Sequence, residues 1–377
     1  MRVLIVGAGI AGLSLAGLLR RFGVEPCVVE KTSADAPGGY ALGLWPLGSR
    51  VLHGLGLYKQ FVAASRAFHS YRILNGNCRE IKTYSLDTIA QRFGHLGMLE
   101  RKELLDLLYA GAGTPVRHGV SVEAITSVGE AVRVVLTDGS DREYDLVVGT
   151  DGIHSKVREL LFGPQPFYDV KWGFWGWWDP GLTLDGADIT EIWDAGRFLG
   201  VYPARNRTCV FAGGPMRLFS PEVVHSSSEL LALFPEAAAR LPRIFESLPK
   251  DRKDAYFWRM RDVRSPAWVK GRVVLAGDAA AAFLPTAGIG ASMALESAAV
   301  LADELSRADA ASIPLALDLY QKRERARVER IQEDSRKLAR LAFVRSSWKT
   351  ALRNRLLRFY TIEMFSKNIA RSLQEPN

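Results

Sequence analysis

Gly7-Ala8-Gly9-Ile10-Ala11-Gly12 stands between a short apolar run, Val3 to Val6, and a segment from Ile10 to Leu19 whose apolar residues keep helical spacing until Gly23. The chemistry that such spacing serves is anion binding. Gly7 permits a tight turn, Gly9 lets a pyrophosphate reach the backbone, and Gly12 lets helix and strand pack closely, so the amides of Ile10 and Ala11 at the helix start face the anion. Glu30 ends the next buried run, Pro26 to Glu30, where a carboxylate can accept from ribose hydroxyls and repel a 2′-phosphate, and Lys31 follows it. The glycine spacing alone reads equally well as an ordinary turn. A strand before it, a helix after it and an acid at the next strand end make it a dinucleotide site.

Two later stretches have the same punctuation. The apolar strand Tyr144 to Gly149 ends in Asp151-Gly152, with Ser155 and Arg158 shortly after; by itself this is a strand and a turn. The strand Arg272 to Ala276 leads into Gly277-Asp278, a loop containing Pro285, Gly288, Ile289 and Gly290, and an alanine-rich helix from Ala291 to Leu305. Standing alone, it would read as a flexible loop before a helix.

In this order the three motifs resemble the single-component FAD-dependent aromatic hydroxylases, flavoprotein monooxygenases that include urate hydroxylases and zeaxanthin epoxidases. The resemblance runs from Met1 to about Arg330, and the segments Gly38 to Gly48 and Leu99 to Leu104 share it. It implies FAD bound in extended form, with Glu30 on the ribose, Arg101 near the pyrophosphate or ribityl chain and Asp278 on the ribityl hydroxyls. Asp151, Gly152 and Arg158 match a second fingerprint associated with both FAD and NAD(P)H. It further implies that hydride comes from NAD(P)H and that O2 is used to hydroxylate or epoxidise an apolar or aromatic small molecule. Reduced flavin carries negative charge near N1 and the C2 carbonyl, and the amides of Gly288 to Ala291 at a helix start offer positive charge there. Where similar proteins often carry His, Gln and Asn, this chain has Ala281, Ile289 and Ser292, and Ser297 replaces an acid.

These motifs require an α/β (α+β) fold: a Rossmann-like FAD-binding domain with an inserted mixed β-sheet substrate domain and C-terminal helices. Expected bounds are 1–70, 95–163 and 268–330 for the FAD domain, 71–94 and 164–267 for the substrate domain, and 331–377 for a basic helical segment. Strands are expected within Tyr71 to Ser85 and a hairpin within Val120 to Asp138; helices are expected at Ser49 to Leu55, Glu100 to Leu108 and within Leu315 to Ser372.

The inserted region carries Trp172, Phe174, Trp175, Trp177, Trp178 and Trp193, which fill a core between domains or wall a planar pocket above the flavin. Arg197, Tyr202 and Arg205 precede or flank an expected strand that in the family faces the flavin; Arg197 and Tyr202 are the catalytic candidates, for orienting or deprotonating a phenolic or enolic substrate. Trp175-Gly-Trp177-Trp-Asp-Pro180 imperfectly resembles the Trp-x-Trp-x-Ile-Pro signature of flavin-dependent halogenases. The rival readings are therefore a halogenase, a flavin-dependent reductase of an isoprenoid-type lipid, and a flavin-binding partner protein without turnover.

The chain has 377 residues, 48% of them hydrophobic, enough for a large core. Cys27, Cys78 and Cys209 are far apart, which argues against a disulfide framework and a metal site and suits a reducing cytoplasm. Between Tyr320 and Ala370 there are 14 Lys plus Arg against 5 Asp plus Glu, so this stretch accounts for the net charge of +8 and a nucleic-acid partner is not expected. Phe343, Trp348, Leu352, Leu356, Leu357 and Phe359 are interleaved with those cations. The segment reads as a helix packed on the FAD domain with a solvated basic face, or else as peripheral contact with an anionic membrane. Oligomeric state has no signature in the sequence.

Overall fold

The computed structural model describes residues 1–34, 39–184, 188–250 and 255–359. Strands Val273–Leu275, Leu146–Gly149, Val3–Val6, Cys27–Glu30 and Val116–His118 run parallel in that order, with Val269–Lys270 antiparallel at one edge. Val3–Val6 and Leu146–Gly149 are buried at every position, as their unbroken apolar sequence requires of strands covered on both faces. Helix Ile10–Arg21 lies between Arg101–Ala112 and Gly290–Ser306 on one side. On the other, a three-stranded sheet of Val122–Val128, Ala131–Leu136 and Asp141–Tyr144 joins the same core.

The expected single strand Tyr144 to Gly149 is divided between these two sheets. Asp145 sits at the break, where its carboxylate accepts the Arg2 backbone N–H at 2.6 Å and the Arg2 guanidinium at 2.8 Å. Two other expectations shift at their edges. The helix expected from Ser49 spans Pro46–Gly54, because Pro46 is already suited to the first helical turn, and Ala41–Leu44, given no element from the sequence, pairs with Gly97–Glu100.

The second sheet has eight strands in the order Ala281–Ala282, Tyr256–Arg264, Tyr168–Asp179, Thr208–Pro215, Arg197–Pro203, Ile189–Asp194, Ser70–Asn75 and Glu80–Ser85. All neighbours are antiparallel except Ile189–Asp194 beside Ser70–Asn75, so the sheet is mixed. Side chains alternate between its faces. Trp175, Trp177, Ile192, Leu199, Val201 and Val210 pack outward against the segment 216–248, whose short helices Ser227–Ala232 and Pro235–Arg240 were not expected. Tyr71, Ile189, Tyr202, Cys209 and Phe211 face the core of the nucleotide domain. Of the tryptophans in the inserted region, Trp172, Trp175, Trp177 and Trp193 are core; Trp178 is half-buried and donates to the Gly39 carbonyl at 3.0 Å, linking the two layers.

The basic tail forms Ile313–Ala342 and Ser347–Leu357. The expected boundary at 330/331 falls inside the first of these helices, which runs on unbroken because both domains hold it. It packs on Gly290–Ser306, and its Arg336 grips Asp262 of the mixed sheet at 2.6 and 2.8 Å. The second helix packs on the mixed sheet, not on the FAD domain: buried Arg353 donates to the Trp193 carbonyl at 2.7 Å. Phe343 and Leu357 are buried, whereas Trp348, Leu352, Leu356 and Phe359 form an exposed apolar stripe. Among the described residues no helix is long and apolar enough to cross a membrane.

Candidate functional site

Gly7 adopts φ +109°, and its amide donates to the Val29 carbonyl at 2.7 Å, which ties the turn to the second strand. A Cβ on Gly12 would overlap the Gly7 carbonyl oxygen, so this position serves strand–helix packing. A Cβ on Gly9 would meet no atom within 4 Å. The space over the start of helix Ile10–Arg21 is therefore open at the position where a pyrophosphate is expected. Thr150, which the sequence reading did not single out, donates to the Gly7 carbonyl at 2.8 Å and fixes the turn from the third strand end.

Glu30 is already engaged. Its carboxylate accepts the Ala8 N–H at 2.8 Å, the Thr32 N–H at 2.9 Å and the Thr32 hydroxyl at 2.8 Å. Burial pushes its carboxyl up, but these donors outweigh burial and hold it below its ordinary value. Since a carboxylate has about four acceptor positions, a ribose hydroxyl still has room. Lys31 is exposed beside it.

The second fingerprint turns out to be a brace. Asp151 accepts the Ser155 hydroxyl at 2.5 Å and the Lys156 and Val157 amides at 2.7 and 3.1 Å, so its oxygens serve the start of helix Lys156–Phe162. Arg158 is buried and donates to the carbonyls of Ala279 (2.8 Å) and Ile153 (2.6 Å), fastening the Asp278 loop to the Asp151 loop.

Asp278 is exposed to solvent, yet protein crowds it closely enough to raise its carboxyl to about 6, against the opposing pull of Arg101 and Arg158. An exposed acid enclosed by protein marks the floor of a deep cleft. Tyr40 also feels Arg101 and Asp278 and is half-buried beside them. Because the folded state binds the Asp278 proton more tightly than an unfolded chain does, this group supports the fold fully below pH ~4 and loses that support as pH rises through about 6. Asp278→Asn is expected to raise the melting temperature of the FAD-free protein at pH 8, to leave it unchanged at pH 4, and to weaken FAD binding. Thermal melts at the two pH values, with and without FAD, check this.

Beyond Asp278, Pro285 and Gly288 are exposed and Gly288 adopts φ +59°; Ile289 is buried, so only its backbone can face a ligand. Helix Gly290–Ser306 begins there, with Met293 the first residue to donate back, to Ile289, which leaves the Gly290 and Ala291 amides at an open helix start. Ser292, standing where an Asn is common, accepts the Trp45 N–H at 3.0 Å and anchors the loop across the cleft.

The catalytic candidates separate. Arg197 has the strand parity of Leu199 and Val201, which face the outer helices, and it pairs with Asp194 at 3.4 Å; the pleat turns it away from the cofactor layer, which corrects the expectation for that residue. Tyr202 faces the cofactor layer but donates its hydroxyl to Glu191 at 2.5 Å. Burial and the neighbouring Glu191 hold its phenol well above the ordinary value, so it is a neutral group suited to orienting a ligand and unsuited to acting as a phenolate base. Glu191 went unnoticed in the sequence. The signal available was an acid between Ile189 and Trp193 at the inward-facing parity of an apolar strand.

A row of aromatic rings leads from the Asp278 cleft toward that acid. Tyr40 stacks on Trp258 (centroids 6.1 Å apart), Trp258 meets Phe211 edge-on (4.9 Å), and Phe211 meets Tyr202 (5.2 Å). Tyr40, Trp258, Phe211 and Tyr202 are all only half-buried, as the wall of a cleft would be.

Residues 1–335 match the family model described as FAD binding domain. The chain belongs to the FAD-binding flavoprotein monooxygenases. This member of the family is 29% identical to aurachin C monooxygenase/isomerase of Stigmatella aurantiaca, over 99% of this chain and 98% of the relative. It is 32% identical to 2-heptyl-3-hydroxy-4(1H)-quinolone synthase of Pseudomonas aeruginosa, over 95% and 94%. Among solved structures, Klebsiella pneumoniae HpxO complexed with FAD and uric acid superposes with a TM-score of 0.86 at 22% identity, covering 99% of this chain and 96% of that one. The protein is thus an FAD-dependent oxidoreductase of the monooxygenase class, and the open space at Gly9 and the enclosed but solvent-exposed Asp278 fit that cofactor.

Proposed function

We propose that this chain consumes NAD(P)H and O2 to hydroxylate or epoxidise a planar, apolar heteroaromatic molecule. The observation that carries this reading is the half-open aromatic row from Tyr40 to Tyr202, which begins beside Asp278. Flat rings in such a row offer a planar substrate broad contact with little side-chain entropy to lose. The names of two full-length relatives, an aurachin C monooxygenase/isomerase and a 2-heptyl-3-hydroxy-4(1H)-quinolone synthase, supply the substrate class.

FAD, when bound, supplies the hydride acceptor and the centre at which O2 is activated. The chain's own residues do the rest. In this reading, Ile10 and Ala11 direct amides at the pyrophosphate, and Glu30 and Lys31 border the ribose. Arg101 and Asp278 hold the ribityl region, with Asp151 and Arg158 bracing the Asp278 loop from behind. Backbone amides from Gly288 to Ala291, following the turn at Pro285, stabilise negative charge on the ring. Trp258, Phe211 and Tyr202 keep the substrate flat and exclude water.

The test is turnover under ¹⁸O2 with NADH or NADPH, with and without halide, using 4(1H)-quinolones as substrates. A product carrying one ¹⁸O atom supports the reading; a halogenated product, a product gaining two hydrogens, or no turnover sinks it. A second proposal concerns the exposed stripe Trp348, Leu352, Leu356 and Phe359, flanked by Lys349, Arg355 and Arg358. We propose that it rests on anionic membrane surfaces, which would bring the site near lipophilic substrates. Flotation with anionic but not neutral vesicles is expected; no flotation with either contradicts it.

A further inference from the structure

Glu191 lies mid-strand, 9% exposed, and no described residue forms an ion pair with it. Its carboxylate is held by three neutral donors. Oε1 accepts the Tyr202 hydroxyl at 2.5 Å, and Oε2 accepts the Tyr71 hydroxyl and the Trp193 indole N–H, both at 2.6 Å. Burying a carboxylate without a cation is costly, and three convergent donors offset only part of that cost. Such an arrangement is a mark of a functional site more than of a stabilising one.

Neighbouring residues are shaped around it. Gly200 stands directly across the ladder from Glu191, and a Cβ there would lie 2.5 Å from the Tyr202 ring. Glycine is what allows that ring to lie over its own strand and reach the acid. Tyr71 stacks on Tyr84 at 6.1 Å with an interplanar angle of 14°, which fixes the second phenol. Both Tyr71 and Tyr202 are half-buried, and Tyr202 ends the aromatic row that starts at the Asp278 cleft.

The chemistry follows from proton bookkeeping. Burial raises the Glu191 carboxyl above its ordinary value, and the Tyr202, Tyr71 and Trp193 donors pull it back toward ionisation; in the ionised form it only accepts, and each tyrosine gives its single proton to it. The Tyr202 oxygen, with that proton committed, can act toward a ligand only as an acceptor. Oε1 of Glu191 has one partner and one remaining acceptor direction. The end of the aromatic row remote from Asp278 thus offers acceptors, and none of these three residues offers a donor there.

We infer that Glu191, with Tyr202 and Tyr71, is a specificity device that selects substrates carrying a hydrogen-bond donor, a ring N–H or an enolic O–H, at the end away from the flavin, and rejects carboxylates there. This rests on the proposed monooxygenase reading and deepens it. A site that must hydrogen-bond its ligand discriminates strongly against an analogue lacking the group, because the buried polar atoms are then left unpaired.

The experiment titrates FAD-loaded protein with 4(1H)-quinolone, its 1-methyl derivative and quinoline-4-carboxylate, following the flavin spectrum. The first two differ only by a methyl on the ring nitrogen, which removes the donor, and the third carries a carboxylate in place of the 4-oxo group. The parent protein is expected to bind the N–H compound at least tenfold more tightly than the N-methyl compound and to show no binding of the carboxylate. Glu191→Gln, which keeps shape while its amide NH2 replaces one acceptor and frees one tyrosine to donate, is expected to bring the N–H preference below threefold. Tyr202→Phe, which removes one acceptor while leaving the acid two donors, should lower it partway if the first variant fails to fold. Equal binding of the N–H and N-methyl compounds by the parent, tight binding of the carboxylate, or a preference unchanged in the folded variants overturns the inference. If the parent still forms ¹⁸O-labelled product in any of those cases, only this inference falls; if no compound binds and none is oxidised, the monooxygenase reading falls with it.

Discussion

Gly9→Val is expected to abolish FAD binding while leaving a folded apoprotein. Two observations make this variant selective. A Cβ at Gly9 would meet no protein atom within 4 Å, and the backbone at φ −80° and ψ −170° suits any L-residue, so the chain itself has no objection to a side chain there. Losing glycine at the helix N-cap costs about 1 kcal/mol or less. The branched side chain would instead fill the space that the pyrophosphate needs. Keeping the anion off the amides of the first turn should raise the dissociation constant for FAD about 100-fold or more, which is about 3 kcal/mol. Gly12→Val is the counterpart: its Cβ overlaps the Gly7 carbonyl oxygen, so the fold and FAD binding should fail together. Circular dichroism melts of the two apoproteins, with FAD titrations by fluorescence, distinguish a missing ligand from a missing fold.

Arg327→Leu is expected to cause the largest stability loss of any single change away from the cofactor. Arg327 lies between Gly290–Ser306 and Ile313–Ala342, paired with Glu296 and, at 3.5 Å, with Glu324; both acids are 1% exposed. Burial raises the Glu324 carboxyl to about 7 against the opposing pull of the Ser297 hydroxyl and Arg323. Without the guanidinium, two buried carboxylates would face each other with little compensation, a situation that costs about 3–5 kcal/mol. Protonation relieves it, so the deficit should be greatest at pH 8 and shrink toward pH 5. Urea unfolding at both values checks the size and the sign. Because this helix pair carries the start of Gly290–Ser306, FAD affinity should fall as well.

How much of this was legible in the sequence depended on how local the cause was. The glycine turn, its flanking strand and helix, and Glu30 were readable because each is fixed by backbone conformation within thirty residues. The two-domain α/β arrangement followed from unbroken apolar strands giving way to an alternating, aromatic insertion. Roles that depend on distant partners were not readable. Arg158 points at Ala279, 121 residues further on. Arg197 and Tyr202 looked equivalent along the chain, yet an odd separation of five residues puts them on opposite faces of one strand. The strand parity of Glu191 was there to be read, but its role was not, since its partners come from three strands. The boundary expected near 330 was set where the family resemblance ends, and helix Ile313–Ala342 runs through it because its packing continues.

In our reading the turn at Gly7 to Gly12, the Arg101 and Asp278 pair and the open helix start at Gly290 together grip one FAD. The most direct measurement is the stoichiometry of FAD taken up by purified, cofactor-stripped protein, read from the bound flavin absorbance after gel filtration. The predicted result is one FAD per chain for the parent and none for Gly9→Val. A folded parent protein that stays colourless after reconstitution, or a Gly9→Val variant that binds flavin as well as the parent does, would contradict the account.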